Sequence, residues 1–217
     1  MDYLEERMEI IRTCLWLEEQ KLVIGTWGNV SMRLPSGNIL LTPSKLPYHD
    51  MEPEDLVIVN EKGEKCQGTR SATSEMDVHR LIYLKRPDIS AIIHCHPLYA
   101  SAICATGQGI PPILEEMTQL LGGEIPITSR YIRAGHHLAL AEETVRALGN
   151  KNAVLIVNHA PVCCGRTLDE ARTCCLVTEK AAACYLAIKG HLPVKTISQE
   201  DVMAERNRFL HQYGHEN

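Results

Sequence analysis

The stretch Ile92-Ile93-His94-Cys95-His96-Pro97 places two histidines two residues apart, between an apolar run and a proline. Successive side chains of an extended strand point to opposite faces, so His94 and His96 are predicted to share one face. Two imidazoles on one face can bind the same metal ion. The stretch therefore predicts a strand that ends in part of a metal site, whose remaining groups must come from elsewhere in the chain.

A third histidine follows a second apolar run. Residues 153–157 read Ala-Val-Leu-Ile-Val, which predicts a strand buried on both faces, and His159 comes two residues later. Three histidines at strand ends can hold a divalent ion and leave positions open for a substrate. Three imidazoles accept zinc and manganese; we expect one ion per subunit, zinc first and manganese as the alternative.

Composition excludes several classes of partner. The chain has 217 residues and a net charge of −5 with acids and bases interspersed, which indicates neither a nucleic-acid surface nor a membrane-binding patch. The first residues lack a secretory signal, so we expect a cytoplasmic protein. The nine cysteines show no Cys-x-x-Cys pair, and most of them are interpreted as small buried residues. Without repeats or linkers, residues 1–217 are predicted to form a single domain.

Hydrophobic periodicity predicts mixed helices and strands. The predicted strands cover residues 30–34, 39–42, 56–60, 89–96 and 153–157. The predicted helices cover residues 2–21, 97–104, 138–148, 167–189 and 198–209, with a further helix that starts near residue 74.

The start of that further helix carries a carboxylate with two interpretations. Thr73 or Ser74 is predicted as its N-cap, and Glu75 can be an ordinary first-turn carboxylate. Alternatively, Glu75 can transfer a proton to and from a carbon next to a metal-polarised carbonyl. If the substrate is phosphorylated, the regions around Asn29, Ser44 and Ser74 offer neutral hydrogen-bond donors.

These motifs occur together in one order: Gly25-Thr26-Trp27-Gly28-Asn29-Val30-Ser31, Thr42-Pro43-Ser44, Thr73-Ser74-Glu75, His94-Cys95-His96-Pro97 and Asn158-His159. In order and spacing the chain resembles the class II sugar-phosphate aldolase family. The resemblance implies a three-layer α/β/α fold around a mostly antiparallel sheet. It also implies a homotetramer with active sites at subunit interfaces and a sugar-phosphate substrate.

The resemblance also implies roles for individual residues. His94, His96 and His159 match the metal ligands, and Glu75 matches the catalytic acid/base. Phosphate binding falls to Asn29, Ser44, Lys45, Thr73 and Ser74. Tyr213 matches a tail tyrosine that closes over the site.

The chain departs from the family pattern at three places. Ala160 and Lys45 stand where the family has glycine, and Lys45 could add charge to phosphate binding or leave that work to its backbone N–H. Glu116 stands near the place where fuculose-type aldolases supply a tyrosine from a neighbouring subunit. A dehydratase branch has a Glu-Met pair there as its acid/base, so Glu116 is a second candidate proton-transfer group. That branch lacks Ser-Glu at positions 74 and 75, and their retention here favours an aldolase.

The predicted activity is a metal-dependent lyase reaction: reversible cleavage of a ketose 1-phosphate, of the fuculose or deoxypentulose type, to dihydroxyacetone phosphate and an aldehyde. Glu75 would protonate the enediolate, and Tyr213 or Glu116 would take the proton of the C4 hydroxyl. The alternatives are a methylthioribulose-phosphate dehydratase, a pentulose-phosphate 4-epimerase, a decarboxylase, or a metal-binding protein without catalysis.

Overall fold

The computed structural model describes residues 2–212, and its strands in this range form one sheet in the order β4-β3-β2-β1-β5-β7-β6. Neighbouring strands are antiparallel throughout. The strands are β1 (Asn29–Arg33), β2 (Ile39–Leu41), β3 (Val57–Val59), β4 (Lys65–Gln67), β5 (Ala91–His94), β6 (Ala153–Leu155) and β7 (Pro161–Gly165). The helices are α1 (Leu4–Glu19), α2 (Met76–Lys85), α3 (Leu98–Cys104), α4 (His137–Leu148), α5 (Leu168–Ile188) and α6 (Gln199–His211), and Met117–Leu121 is a single π-helical turn.

Helices cover both faces of the sheet. Alternate strand positions point to opposite faces, so Ile93 packs in one hydrophobic core with α1, α3 and α5, whereas Ile92 packs in a second core with α2 and α4. Both isoleucine side chains are fully buried, and each such burial stabilises the fold by about 1.5–3 kcal/mol. The predicted three-layer α/β/α fold with an antiparallel central sheet is confirmed.

The chain order of the predicted elements is confirmed, with shifts at their ends. The β1–β2 hairpin pairs Ser31 with Leu41, as an adjacent-strand hairpin requires. Strand β5 ends at His94, so His96 lies beyond the strand rather than inside it. The cap of α2 is Glu75, not Thr73 or Ser74, and its side chain makes no capping hydrogen bond.

Strands β4 and β7 were not among the predicted elements, and β7 decides where His159 lies. It is inserted between β5 and β6, and it pairs Ile92 with Cys164 and Ile93 with Cys163. The turn that joins β6 to β7 is therefore next to the end of β5. Adjacent Cys163 and Cys164 enter the two different cores, which confirms the interpretation of the cysteine doublets as buried small residues.

All nine cysteines are free thiols, and seven of them are buried. Cys66 is exposed and Cys184 is half-buried, so the prediction that most of the cysteines are buried is confirmed. Within residues 2–212 no helix combines the length and the apolar character that a membrane crossing needs.

Candidate active site

Three histidines converge at one end of the central strands. His94 is the last residue of β5 and stands opposite Asn29 of β1. His96 follows two residues later, where its backbone N–H donates to the carbonyl of Leu22. His159 lies in the β6–β7 turn. One ring nitrogen from each histidine lies within 4.8 Å of the others, so the three can share a metal ion.

The protonation of these rings suits metal binding. The Nδ1 of His94 lies 2.9 Å from the Pro161 carbonyl oxygen and must donate to it, which leaves Nε2 with its lone pair facing the other histidines. Burial and the neighbouring His159 hold the pKa of His94 well below its usual range. Burial, with His94 and His159 close by, lowers the pKa of His96 to about 3. Both rings are therefore neutral at pH 7, the form in which an imidazole binds a metal.

Glu75 faces the histidines instead of capping its helix. Its carboxylate oxygens lie 3.2 Å from Nε2 of His94 and 3.4 Å from Nε2 of His159. The side-chain N–H of Asn29 donates to the same carboxylate at 2.8 Å. The interpretation of Glu75 as an ordinary capping residue is wrong, because its side chain makes no capping hydrogen bond and lines the cavity instead.

Four of the five predicted phosphate residues come from two adjoining loops, and the fifth, Asn29, is the first residue of β1. An antiparallel bridge joins Pro43 to Ala72, and the backbone N–H of Ser44 donates to the Ser71 carbonyl at 3.0 Å. This pairing places Ser44 and Lys45 beside Thr73 and Ser74. The side chains of Ser44, Lys45 and Ser74 have no hydrogen-bond partner within residues 2–212, so they are available to a ligand.

Lys45 adopts a backbone conformation that favours glycine. Its φ is 60°, in the left-handed region that costs most residues about 1 kcal/mol or more. This geometry explains why glycine suits the position.

A cavity of about 570 Å³ encloses this arrangement. Its lining includes Asn29, Glu75, His96 and His159 together with the two phosphate loops. Another wall is formed by the segment 131–137, where Tyr131, Arg133, His136 and His137 line the cavity. Sequence reasoning missed this wall, because an irregular polar segment carries no spacing signal, and only its accumulation of hydrogen-bonding side chains could have indicated it.

Of the remaining two candidates, Glu116 lies apart from this cavity. Glu116 lines a second cavity of about 390 Å³ between the π-helical turn, α5 and α6. It pairs with Lys180 at 2.5 Å, and that hydrogen bond lowers the pKa of Glu116. Within one chain Glu116 is therefore not brought to the histidines. Tyr213 lies outside the described residues.

Neutral imidazoles, an adjacent carboxylate and hydroxyl-rich loops define a site for metal-assisted proton transfer on an anionic substrate. Comparison with known proteins agrees. The family described as "Class II Aldolase and Adducin N-terminal domain" matches residues 8–186. The L-fuculose phosphate aldolase of Haemophilus influenzae is 31% identical over 99% of this chain and 97% of its own length. The 5-deoxy-D-ribulose 1-phosphate aldolase of Bacillus thuringiensis is 30% identical, over 94% of this chain and 95% of its own.

A solved structure of an L-fuculose 1-phosphate aldolase superposes with a TM-score of 0.91 at 25% identity, covering 97% of this chain and 98% of that one. The chain belongs to the class II aldolase family. It is therefore a metal-dependent aldolase, and the three histidines form a group able to bind the divalent metal that this family uses.

Proposed function

We propose that this protein reversibly cleaves a ketose 1-phosphate, of the fuculose or deoxypentulose type, to dihydroxyacetone phosphate and an aldehyde. One observation carries the proposal: the Glu75 carboxylate lies 3.2 and 3.4 Å from two converging imidazoles, in the same cavity as free hydroxyls and a lysine. The H. influenzae and B. thuringiensis relatives, whose names state fuculose phosphate and deoxyribulose phosphate, support this choice of substrate.

His94, His96 and His159 are the proposed ligands of one divalent ion. The residues fit such an ion because His94 is held as the tautomer that presents Nε2, 2.9 Å from Nε2 of His96. A donor set of three imidazole nitrogens favours zinc, and manganese is the alternative. When bound, the ion polarises the ketose carbonyl and stabilises negative charge next to the C–C bond that breaks.

Glu75 is the proposed proton carrier. As the C3–C4 bond breaks, its electron pair passes to the C2–C3 fragment, and the C4 hydroxyl loses its proton to give the aldehyde. Protonated Glu75 then gives its proton to C3, which yields dihydroxyacetone phosphate. In the synthetic direction the Glu75 carboxylate removes that proton, and Asn29 holds the carboxylate by its 2.8 Å hydrogen bond.

The phosphate group is proposed to bind between the two loops. The hydroxyls of Ser44, Thr73 and Ser74 and the amide of Asn29 would donate to its oxygens, and all four residues line the cavity. Lys45 lines the same region and would supply positive charge.

The acid/base group for the C4 hydroxyl is proposed to come from Tyr213 or from Glu116 of a neighbouring subunit. A homotetramer with shared active sites would allow this. Its support is the apolar surface next to the cavity: Ile24, Trp27 and Leu98 are 69%, 68% and 73% exposed, and the Trp27 ring lies 6.2 Å from that of His96. Sedimentation of the intact protein should show a tetramer, and a monomer at working concentration would contradict this assembly.

Dehydratase, 4-epimerase and decarboxylase reactions remain the alternative activities within the family. The remaining alternative is a metal-binding protein that is not an enzyme. The hydrogen bond from Lys180 lowers the pKa of Glu116 and makes it a weaker base for either reaction, so the support for the aldolase over the dehydratase is the retained Ser74-Glu75 pair. A single domain over residues 1–217 and a cytoplasmic location remain predictions; two cores on opposite faces of the same sheet support the first.

The decisive experiment measures release of dihydroxyacetone phosphate from a panel of ketose 1-phosphates, before and after metal removal. We expect cleavage that stops with EDTA and returns with zinc or manganese. Cleavage that survives complete metal removal would refute the metal-dependent reaction.

A matched pair of variants assigns the carboxylate. Glu75→Gln should still bind metal but lose proton exchange at C3 of dihydroxyacetone phosphate. Glu116→Gln should retain that exchange, because it does not line the same cavity within one chain. Exchange at the wild-type rate in Glu75→Gln, together with loss of turnover in Glu116→Gln, would favour the dehydratase-like assignment.

A further inference from the structure

A buried chain of hydrogen bonds extends from Glu75 into the core behind the cavity. The amide of Asn29 donates to Glu75, and its carbonyl oxygen lies 2.5 Å from Nε2 of His79. On the other side of the ring, Nδ1 of His79 lies 2.6 Å from the hydroxyl of Ser31. That hydroxyl lies 2.8 Å from the hydroxyl of Tyr83. His79 and Ser31 are fully buried, so water does not compete for these groups.

An ionised Glu75 permits only one order of protons along this chain. A carboxylate accepts hydrogen bonds and does not donate them, so the amide nitrogen of Asn29, not its oxygen, must face Glu75. The Asn29 oxygen then faces His79, which must donate from Nε2 and accept at Nδ1. Ser31 must donate to Nδ1, and Tyr83 must donate to Ser31. Burial lowers the pKa of His79 to about 4, which agrees with a neutral ring that has one donor and one acceptor.

We propose that His79 is a positioning residue: as its Nε2–H tautomer it fixes the amide of Asn29 so that the amide nitrogen holds the Glu75 carboxylate in place. Within residues 2–212 His79 does not line the cavity and makes no hydrogen bond to His94, His96 or His159, and its one hydrogen bond on the side facing the site is to Asn29. The opposite orientation of Asn29 would direct its oxygen at the carboxylate, and the two acceptors would repel each other. This inference rests on the proposed function of Glu75 for its kinetic consequence, but not for the tautomer itself.

Two substitutions separate the two sides of the ring. In His79→Gln the side-chain amide nitrogen reaches the place of Nε2 and can still donate to Asn29. In His79→Asn the shorter amide reaches only the place of Nδ1, so it can accept from Ser31 but leaves Asn29 without its donor. Ile82→Val is the matched control, since Ile82 is buried on the same helix and makes no part of the chain.

The first measurement is the rate of proton exchange at C3 of dihydroxyacetone phosphate, together with kcat and KM for cleavage and the affinity for zinc. His79→Asn should lower the exchange rate and kcat about 10–100-fold, the range found for lost outer-shell partners, with zinc affinity near that of the wild type. His79→Gln should recover most of the exchange rate and kcat. Equal losses of exchange rate and kcat in His79→Asn and His79→Gln would overturn the proposal. It would also be overturned if Ile82→Val lost exchange rate and kcat in proportion to its decrease in melting temperature, because the losses would then reflect stability alone.

The second measurement does not depend on activity. Long-range ¹⁵N–¹H correlation spectra of the wild-type protein should show His79 as the Nε2–H tautomer, and the Nδ1–H tautomer would overturn the proposal. Wild-type protein with the expected tautomer but no exchange chemistry would refute the proposed function and leave the tautomer assignment standing. If His79→Asn does not fold, Ser31→Ala replaces it: we expect mixed tautomers and a several-fold lower exchange rate, and mixed tautomers with an unchanged rate would refute the positioning role.

Discussion

Replacing Lys45 by glycine separates two possible contributions to phosphate binding, that of the ammonium group and that of the loop backbone. Lys45 is exposed, lines the cavity beside Ser44, and has no partner for its ammonium group within the part of the chain that the structure describes. A contact between an exposed ammonium and a phosphate is worth about 0.5–1.4 kcal/mol. We therefore expect Lys45→Gly to raise KM for the sugar phosphate about two- to tenfold, with kcat almost unchanged.

The same substitution has a separate effect on stability. Glycine removes the strain of a φ of 60° at position 45, which stabilises the fold by about 1 kcal/mol. It also gives the unfolded chain more conformational entropy, which destabilises the fold by about 0.4–1 kcal/mol. The two nearly cancel, so the melting temperature should change little. Lys21→Gly is the matched control, because Lys21 is also exposed, has a φ of 57° and does not line the cavity.

Inhibition by inorganic phosphate provides the assay that is independent of the rest of the substrate. The inhibition constant of phosphate should rise in Lys45→Gly by the same factor as KM and should stay at the wild-type value in Lys21→Gly. At high salt the inhibition constants of Lys45→Gly and the wild type should become more similar. An unchanged constant in Lys45→Gly would refute the reasoning, and it would assign phosphate binding at this loop to the backbone N–H and hydroxyl groups.

Two further predictions concern stability. Gly165→Ala should destabilise the fold by about 3 kcal/mol, because the new Cβ would lie 2.4 Å from the backbone nitrogen of Ala171 and 2.7 Å from the carbonyl oxygen of Thr167; a thermal melt that matches the wild type would contradict this. Hydrogen bonds, of which that from Arg146 has the largest effect, lower the pKa of Glu143 to about 2. In the unfolded chain the pKa is about 4.3, so ionised Glu143 stabilises the fold fully above pH 4.3, and this stabilisation is lost as the pH falls towards 2. Glu143→Gln should therefore have a free energy of unfolding about 1–2 kcal/mol below that of the wild type at pH 7, a value reduced because Arg146 is exposed. Urea unfolding should show this difference becoming smaller in acid. A difference that does not change with pH would refute the linkage.

The sequence predicted that the three histidines lie together, because the signal for two of them is local. An apolar run that ends in His-x-His requires only an extended chain to bring two imidazoles together, and the structure retains this even though β5 stops at His94. Glu75 was harder, since a carboxylate at a helix start is also an ordinary capping residue. Only the tertiary pairing of β1 with β5, which places Asn29 opposite His94, shows that the carboxylate faces the histidines.

The parts that sequence reasoning missed depend on contacts between distant residues. Strand β7 begins with a proline, ends with a glycine and consists of small residues, so its local preference for a strand is weak. It forms because a strand between β5 and β6 makes hydrogen bonds to both of them and packs against a hydrophobic core on each face of the sheet. That insertion also explains the site: if β6 were paired directly with β5, the turn that carries His159 would not lie between them. The third histidine of the group is therefore positioned by a strand that the sequence analysis did not predict.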